Sequence, residues 1–201
     1  MLLDICEIES LMCEGALPTA ETLEIVMSRK NFYPIKFLLE FLIKFGAVAS
    51  TETLNFAIID CRNECDFEDI IRILLKSGGI PTTETLNLAC DELPLEAIKC
   101  LLEFGAEATL ETLNILIMLP NSTDKVDFIL KKGVTPTEIT LNLSLNYSSK
   151  VIIQKILDLG VIPTKETLKI AKQLAIKKNK KKDKLIYYDR KRRATRNLQF
   201  N

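Results

Sequence analysis

Two residue patterns in this 201-residue chain could do chemistry: six cysteines, and a glutamate that recurs at Glu21, Glu52, Glu84, Glu111 and Glu166. Only Cys61-Arg-Asn-Glu-Cys65 brings two thiols close together, and that spacing, with no second pair nearby, is not that of a common metal site. The chain contains no histidine. This removes Ser-His and Cys-His catalysis, and zinc-His ligation with them. Gly78-Gly79 is an isolated doublet that reads as a helix stop rather than a phosphate-cradling loop. The recurrent glutamates are explained as carboxylates placed in first helical turns, where the macrodipole favours them, and not as a metal ladder. No catalytic residue, metal ligand or cofactor is expected, and the chain is not read as an enzyme.

Charge is the next pattern. The formal net charge is zero, but its two signs are separated along the chain. From Leu174 onward eleven Lys or Arg face two Asp, a net +9, whereas residues 1–173 hold 16 basic and 25 acidic residues, a net −9. Lys177, Lys178, Lys180, Lys181, Lys182 and Lys184 form one basic block, Arg190, Lys191, Arg192 and Arg193 a second, around Leu185-Ile-Tyr-Tyr188. Such blocks serve nuclear import, nucleic-acid anchoring through phosphate, or attachment to an anionic membrane surface. A solvated last helix that keeps the chain's end soluble is the plain alternative.

A composition of 47% hydrophobic and 27% charged residues belongs to a folded protein. The cysteines have no paired framework, the first residues carry acid where a signal peptide needs base, and no apolar run approaches the roughly 18 residues of a membrane span. The expectation is an intracellular protein, cytoplasmic or nuclear, with no transmembrane segment.

The elements that must position these residues come from one phrase that occurs six times. It opens at Gly15, Gly46, Gly78, Gly105, Gly133 and Gly160, at spacings of 31, 32, 27, 28 and 27 residues, and in its third copy reads Gly78-Gly-Ile-Pro-Thr-Thr-Glu-Thr-Leu-Asn87. The glycine follows an apolar run and supplies the left-handed backbone that ends a helix. Four residues later stands a hydroxyl, Thr19, Ser50, Thr82, Thr109, Thr137 or Thr164, as the N-cap of the next helix, with acid in its first turn. Leu23, Leu54, Leu86, Leu113, Leu141 and Leu168 follow in every copy, each with an apolar residue two positions on. Those two positions do not share a narrow stripe, so the first helix of each unit is expected to be buried on more than one side. The second helix of the third unit offers Ala97, Ile98, Leu101 and Leu102 on one face and Glu96, Lys99 and Glu103 on the other. Units this small bury their faces only by stacking on neighbours.

Thr85-Leu-Asn-Leu-Ala89 followed by Ala97-Ile-Lys-Cys-Leu-Leu-Glu-Phe-Gly-Ala106 resembles the ankyrin-repeat family, whose signature runs Thr-Pro-Leu-His-x-Ala and then Val-Val-x-Leu-Leu-Leu-x-x-Gly-Ala. The resemblance covers about residues 15–173. The 19 residues from Leu86 to Gly105 match the family's separation, while the 8 from each glycine to the next leucine are about six fewer. The missing piece is the β-hairpin finger. Asn55, Asn87, Asn114 and Asn142 stand where the family has a histidine that ties a helix start to a neighbouring turn, and an amide carries the donor and acceptor for the same task. Glu24 and Lys169 take that place in the terminal copies. The phrase is also similar to the start of pentatricopeptide repeats, which read single-stranded RNA, but those units need about 35 residues and an acidic body is a poor host for phosphate.

The resemblance implies an all-α fold, an α-solenoid of stacked helix-turn-helix repeats with capping helices: a capping helix at 1–14, an array at 15–173 and a basic helix or tail at 174–201. Its expected function is that of a protein-protein interaction scaffold, contacting a partner through the helical face and loops. The first two units are longer between their helices, near residues 28–34 and 60–67, which makes Arg29, Phe32, Tyr33, Arg62 and Phe67 the candidate contacts. The alternative is an RNA-, DNA- or ribonucleoprotein-binding protein anchored by its basic tail.

Overall fold

The computed structural model describes residues 10, 12–28, 35–61 and 66–177, and among them all regular structure is helical. Helices come in pairs: α1 (Ala20–Ser28) and α2 (Ile35–Lys44), α3 (Thr51–Asp60) and α4 (Phe67–Lys76), α5 (Thr83–Glu92) and α6 (Leu95–Glu103), α7 (Leu110–Met118) and α8 (Thr123–Lys131), α9 (Glu138–Tyr147) and α10 (Lys150–Asp158). A further helix, α11, covers 165–177 and runs unbroken through positions 173 and 174, where the charge of the sequence changes sign. Of the expected capping helix at 1–14, the described residues are Ser10 and 12–14, helical at 10 and 12–13, with Glu14 N–H donating to the Ser10 carbonyl at 2.9 Å.

The chain forms two compact units, Met1–Leu116 with Asp124–Val134, and Ile117–Thr123 with Thr135–Asn201. In the first, α1, α3 and α5 pack side by side in one row and α2, α4 and α6 in another, and each first helix also packs on its own second helix. In the second, α9 packs on α10, and the Ser148 hydroxyl donates to the Ile117 carbonyl at 3.1 Å.

Local chemistry explains where each helix starts and stops. All six phrase glycines have positive φ, from 88° at Gly160 to 119° at Gly78. After Gly46, Gly78 and Gly105 the next residue reaches back five positions: Ala47 N–H donates to the Leu42 carbonyl at 3.1 Å, Gly79 N–H to that of Leu74 at 3.0 Å, and Ala106 N–H to that of Leu101 at 3.0 Å. This is the Schellman closure, which satisfies orphan carbonyls. A Cβ on Gly78 would sit 2.7 Å from Val48 Cγ1, whereas at Gly105 it would meet nothing within 4 Å. Gly105→Ala is expected to cost about 1–2 kcal/mol of backbone strain alone. Gly78→Ala should cost more, and equal losses in thermal unfolding would mean that Val48 simply moves aside.

The buried face of a first helix is narrow. Thr53, Leu54, Ala57 and Ile58 line it in α3, and Thr85, Leu86, Ala89 and Cys90 in α5, all fully buried. The small alanine lets neighbouring helices approach, and the invariant leucine is at most 1% exposed in the first five units. The apolar residue two positions later is not buried, contrary to expectation. Ile25 is 44% and Leu88 37% exposed, with Phe56 and Ile115 half-buried. That position points away from both the neighbouring first helices and the second-helix row. In α6 the expected stripe is present: Ala97, Ile98 and Leu101 are buried with Cys100, Leu102 is half-buried, and Glu96 and Glu103 face solvent.

Candidate functional site

The polar contacts between successive units come from the phrase itself. Each capping hydroxyl accepts from the backbone N–H three residues on, as Ser50 Oγ does from Thr53 N at 3.1 Å and Thr82 Oγ1 from Thr85 N at 3.2 Å. The threonine returns the bond: Thr53 Oγ1 accepts from Ser50 N at 3.2 Å. Threonine here replaces the Glu or Gln of the usual capping box.

Its hydroxyl hydrogen then crosses to the preceding unit. Thr53 donates to Glu24 Oε1 at 3.0 Å, Thr85 to Asn55 Oδ1 at 2.7 Å, and Thr112 to Asn87 Oδ1 at 2.7 Å. A hydroxyl has one hydrogen, so the contact between cap and threonine, 3.1 Å in both Ser50–Thr53 and Thr82–Thr85, must be donated by the cap. A directed relay results, from cap to threonine to the preceding unit's amide or carboxylate. The residue after the cap adds a second tie: Thr51 Oγ1 donates to the Ile80 carbonyl at 2.9 Å, and Thr83 Oγ1 to that of Glu107 at 3.2 Å.

At α11 the relay reverses. The Thr164 hydroxyl donates to the Glu138 carboxylate, so the 3.2 Å contact with Thr167 must be donated by Thr167. Asn142 Oδ1, the acceptor that the earlier units would match to Thr167, is buried and has no hydrogen-bond partner.

The outward face of the first helices carries the features of a contact surface. Glu52, Phe56 and Asp60 lie at i, i+4 and i+8 along α3, and Glu84, Leu88 and Glu92 likewise along α5. This spacing keeps each trio on one side of its helix. Glu21 and Ile25 repeat the pattern in α1, and Glu111 and Ile115 in α7. The result in the first compact unit is a half-exposed apolar row, Ile25, Phe56, Leu88 and Ile115, bordered by exposed carboxylates.

Charge is sorted between the first and the second helices of the pairs. α1, α3, α5, α7 and α9 contain no Lys or Arg, while every second helix described contains at least one. The dipole explains the glutamates of the first turns. Glu52 shows it directly: its own backbone N–H holds its carboxyl below the ordinary carboxylate range. Asp60, Asp91 and Glu92 sit at helix C-termini, where the dipole disfavours acid; at the end of α5 a base arrives from α8, whose Lys125 Nζ donates to the Cys90 carbonyl at 2.9 Å.

Of the contacts expected from sequence, Arg29, Phe32, Tyr33 and Arg62 lie outside the described residues, as do the basic residues from Lys178 to Arg193. Phe67 is 6% exposed at the start of α4, so its ring is part of the core and is not offered to a partner. Lys177, the last of the described residues, is exposed on α11. The apolar row was missed because its residues were assigned to the core; its signal was their place two positions after the invariant leucine.

Cys61, Cys90 and Cys100 are buried and Cys13 is exposed; Cys6 and Cys65 lie outside the described residues. Among the described residues no group of three His, Cys, Asp or Glu could hold a metal ion, and no helix is long and apolar enough to cross a membrane. Burial pushes the Cys90 thiol up to about 12, against the opposing charge of Lys125. Iodoacetamide at about pH 8 is therefore expected to label Cys13 and spare Cys90 until the chain unfolds. Native labelling of Cys90 at the rate of Cys13 would contradict its burial. Because the folded-state value lies above the ordinary 9.0, the protonated thiol's contribution to stability is complete below pH 9.0 and is lost as pH rises towards about 12.

Comparison with protein-family models, with curated proteins and with solved structures returned no match.

Proposed function

We propose that the chain is a non-catalytic protein-interaction scaffold, an α-solenoid of shortened, ankyrin-like repeats that contacts a partner protein through the outward face of its first helices. The observation that carries this reading is the row Ile25, Phe56, Leu88 and Ile115. Single exposed apolar residues need no explanation, but a contiguous row on neighbouring helices marks a contact surface. The loops near residues 28–34 and 60–67 remain proposed contributors beside it.

The test is affinity capture from a cytosolic extract, with and without nuclease, using the full chain and a Leu88→Ser chain. Partners that survive nuclease and are lost by Leu88→Ser support the scaffold. Capture that vanishes with nuclease and ignores Leu88→Ser supports the second reading, in which the net +9 of residues 174–201 anchors the protein on RNA or DNA. In that case affinity should fall steeply with salt, since each neutralised phosphate releases counterions.

A further inference from the structure

The two compact units carry opposite charge. The first holds 11 basic and 22 acidic residues, a net −11, and the second 16 basic and 5 acidic, a net +11. We infer that the exposed side of α11, in the second unit, is a docking surface for an anionic phospholipid membrane. Its lysines meet the charged headgroups while its aliphatic side chains enter the boundary beneath them. This goes beyond the scaffold reading and uses none of the first-helix row.

Earlier first helices define which side of α11 is meant. The asparagine one position after the invariant leucine accepts from the following unit, Asn55 from Thr85 and Asn87 from Thr112. The residue four positions after that leucine, Met27, Ile58, Cys90 or Ile117, is at most 1% exposed. On α11 the same two positions hold Lys169 and Lys172, both exposed, and no unit follows among the described residues. Lys165, Leu168, Lys172 and Ile176 are spaced by three or four residues, which sets them in one stripe with Lys169 beside it. Leu168 is 54% and Ile176 55% exposed, so the stripe alternates base and hydrocarbon along its length.

Two plainer causes fall short. The macrodipole favours acid at the start of a helix, yet Lys165 opens α11 where the other copies have Ala20, Thr51, Thr83, Leu110 and Glu138. A terminal face that had only to meet water would have no use for Leu168 and Ile176 between its lysines. The Lys169–Glu166 pair, 3.6 Å apart on side chains 64% and 59% exposed, is a surface pair of little worth. Nucleic acid would meet the lysines and leave both aliphatic side chains in water. A bilayer surface offers negative charge and an apolar boundary in one plane. It also suits the sequence that follows, where Leu185-Ile-Tyr-Tyr188 stands between two basic blocks, since tyrosine favours the headgroup level.

The test is co-sedimentation of the full chain with vesicles of phosphatidylcholine alone and of phosphatidylcholine with about 30% phosphatidylserine. The serine lipid is expected to tighten binding at least about tenfold. Lys169→Gln with Lys172→Gln should weaken binding to those vesicles about tenfold, and Leu168→Ser with Ile176→Ser by a similar factor. Lys131→Gln with Lys132→Gln removes the same charge from exposed positions of the first unit and should change binding less than about twofold. Circular dichroism of each variant before sedimentation separates a lost contact from a lost fold.

Equal weakening by the two lysine pairs would reduce the effect to bulk charge and overturn the inference. Unchanged binding of the Leu168→Ser, Ile176→Ser chain would overturn it too, because charge alone would then suffice. Tighter binding to single-stranded RNA than to the anionic vesicles, at equal phosphate concentration, would assign the face to nucleic acid. Failure to bind either vesicle sinks the membrane and leaves the scaffold to its own test at Leu88.

Discussion

In a Leu86→Ala chain the urea midpoint is expected to fall by the equivalent of about 2–5 kcal/mol, with the denaturant slope unchanged. Leu86 is fully buried on the shared face of α5, against α3 and α6. Truncation there removes transfer free energy and leaves a cavity that fixed helices collapse around only in part. Against a typical domain stability of about 5–15 kcal/mol, this is the largest single effect foreseen. The matching control is Leu168→Ala. The same letter of the phrase is 54% exposed in α11, and among the described residues no second helix follows to cover it. Its loss should stay within about 0.5–1 kcal/mol. Equal losses at the two positions would mean that Leu168 has a cover in solution.

Asn87→Ala is expected to cost about 1–3 kcal/mol, because it strands the hydroxyl of the fully buried Thr112. Asn142→Ala should be close to neutral, within about 0.5 kcal/mol. Its Oδ1 is already buried without a partner, and removing such an acceptor forfeits no bond. Chemical denaturation of both variants, read at two wavelengths or by two probes, decides the matter. A loss at position 142 equal to that at 87 would show that the relay does not reverse at Thr164.

What was legible in the sequence is what local chemistry decides. Glycine at positive φ, a hydroxyl cap four residues on and a leucine behind it depend on little beyond their own turn, and each is where the spacing places it. The directions in which the remaining residues point depend on neighbours that one unit does not contain. Ile25 and Leu88 were read as core because an apolar residue beside an invariant leucine has no local mark of exposure; only the packing of α1, α3 and α5 against one another leaves that side open. The asparagine was read as a tie to a neighbouring turn, and Asn55 and Asn87 do bond to the next unit. The partner, the threonine before each leucine, had been given no role. Its recurrence in all six copies was the available signal, since a capping box needs only its acceptor, and nothing local demands a buried hydroxyl there. Phe67 was placed at the surface on the strength of a longer connection, but it begins α4 and its apolar ring follows that helix inward.

The directed relay bears on how such a chain changes length. Its donor and its acceptor are both written into the repeated phrase, so a tandem duplication of 27 or 28 codons taken from the interior would arrive with a threonine for the unit before it and an asparagine for the unit after it. Growth by copying needs no compensating mutation at the new junction. Copying the last unit is different: its cap is committed to Glu138 and Lys169 stands where its acceptor would be, so the extra copy would break the bonded series. The molecule is thus open to extension from within and closed at its far end, a grammar in which any internal word may be doubled but the final one may not.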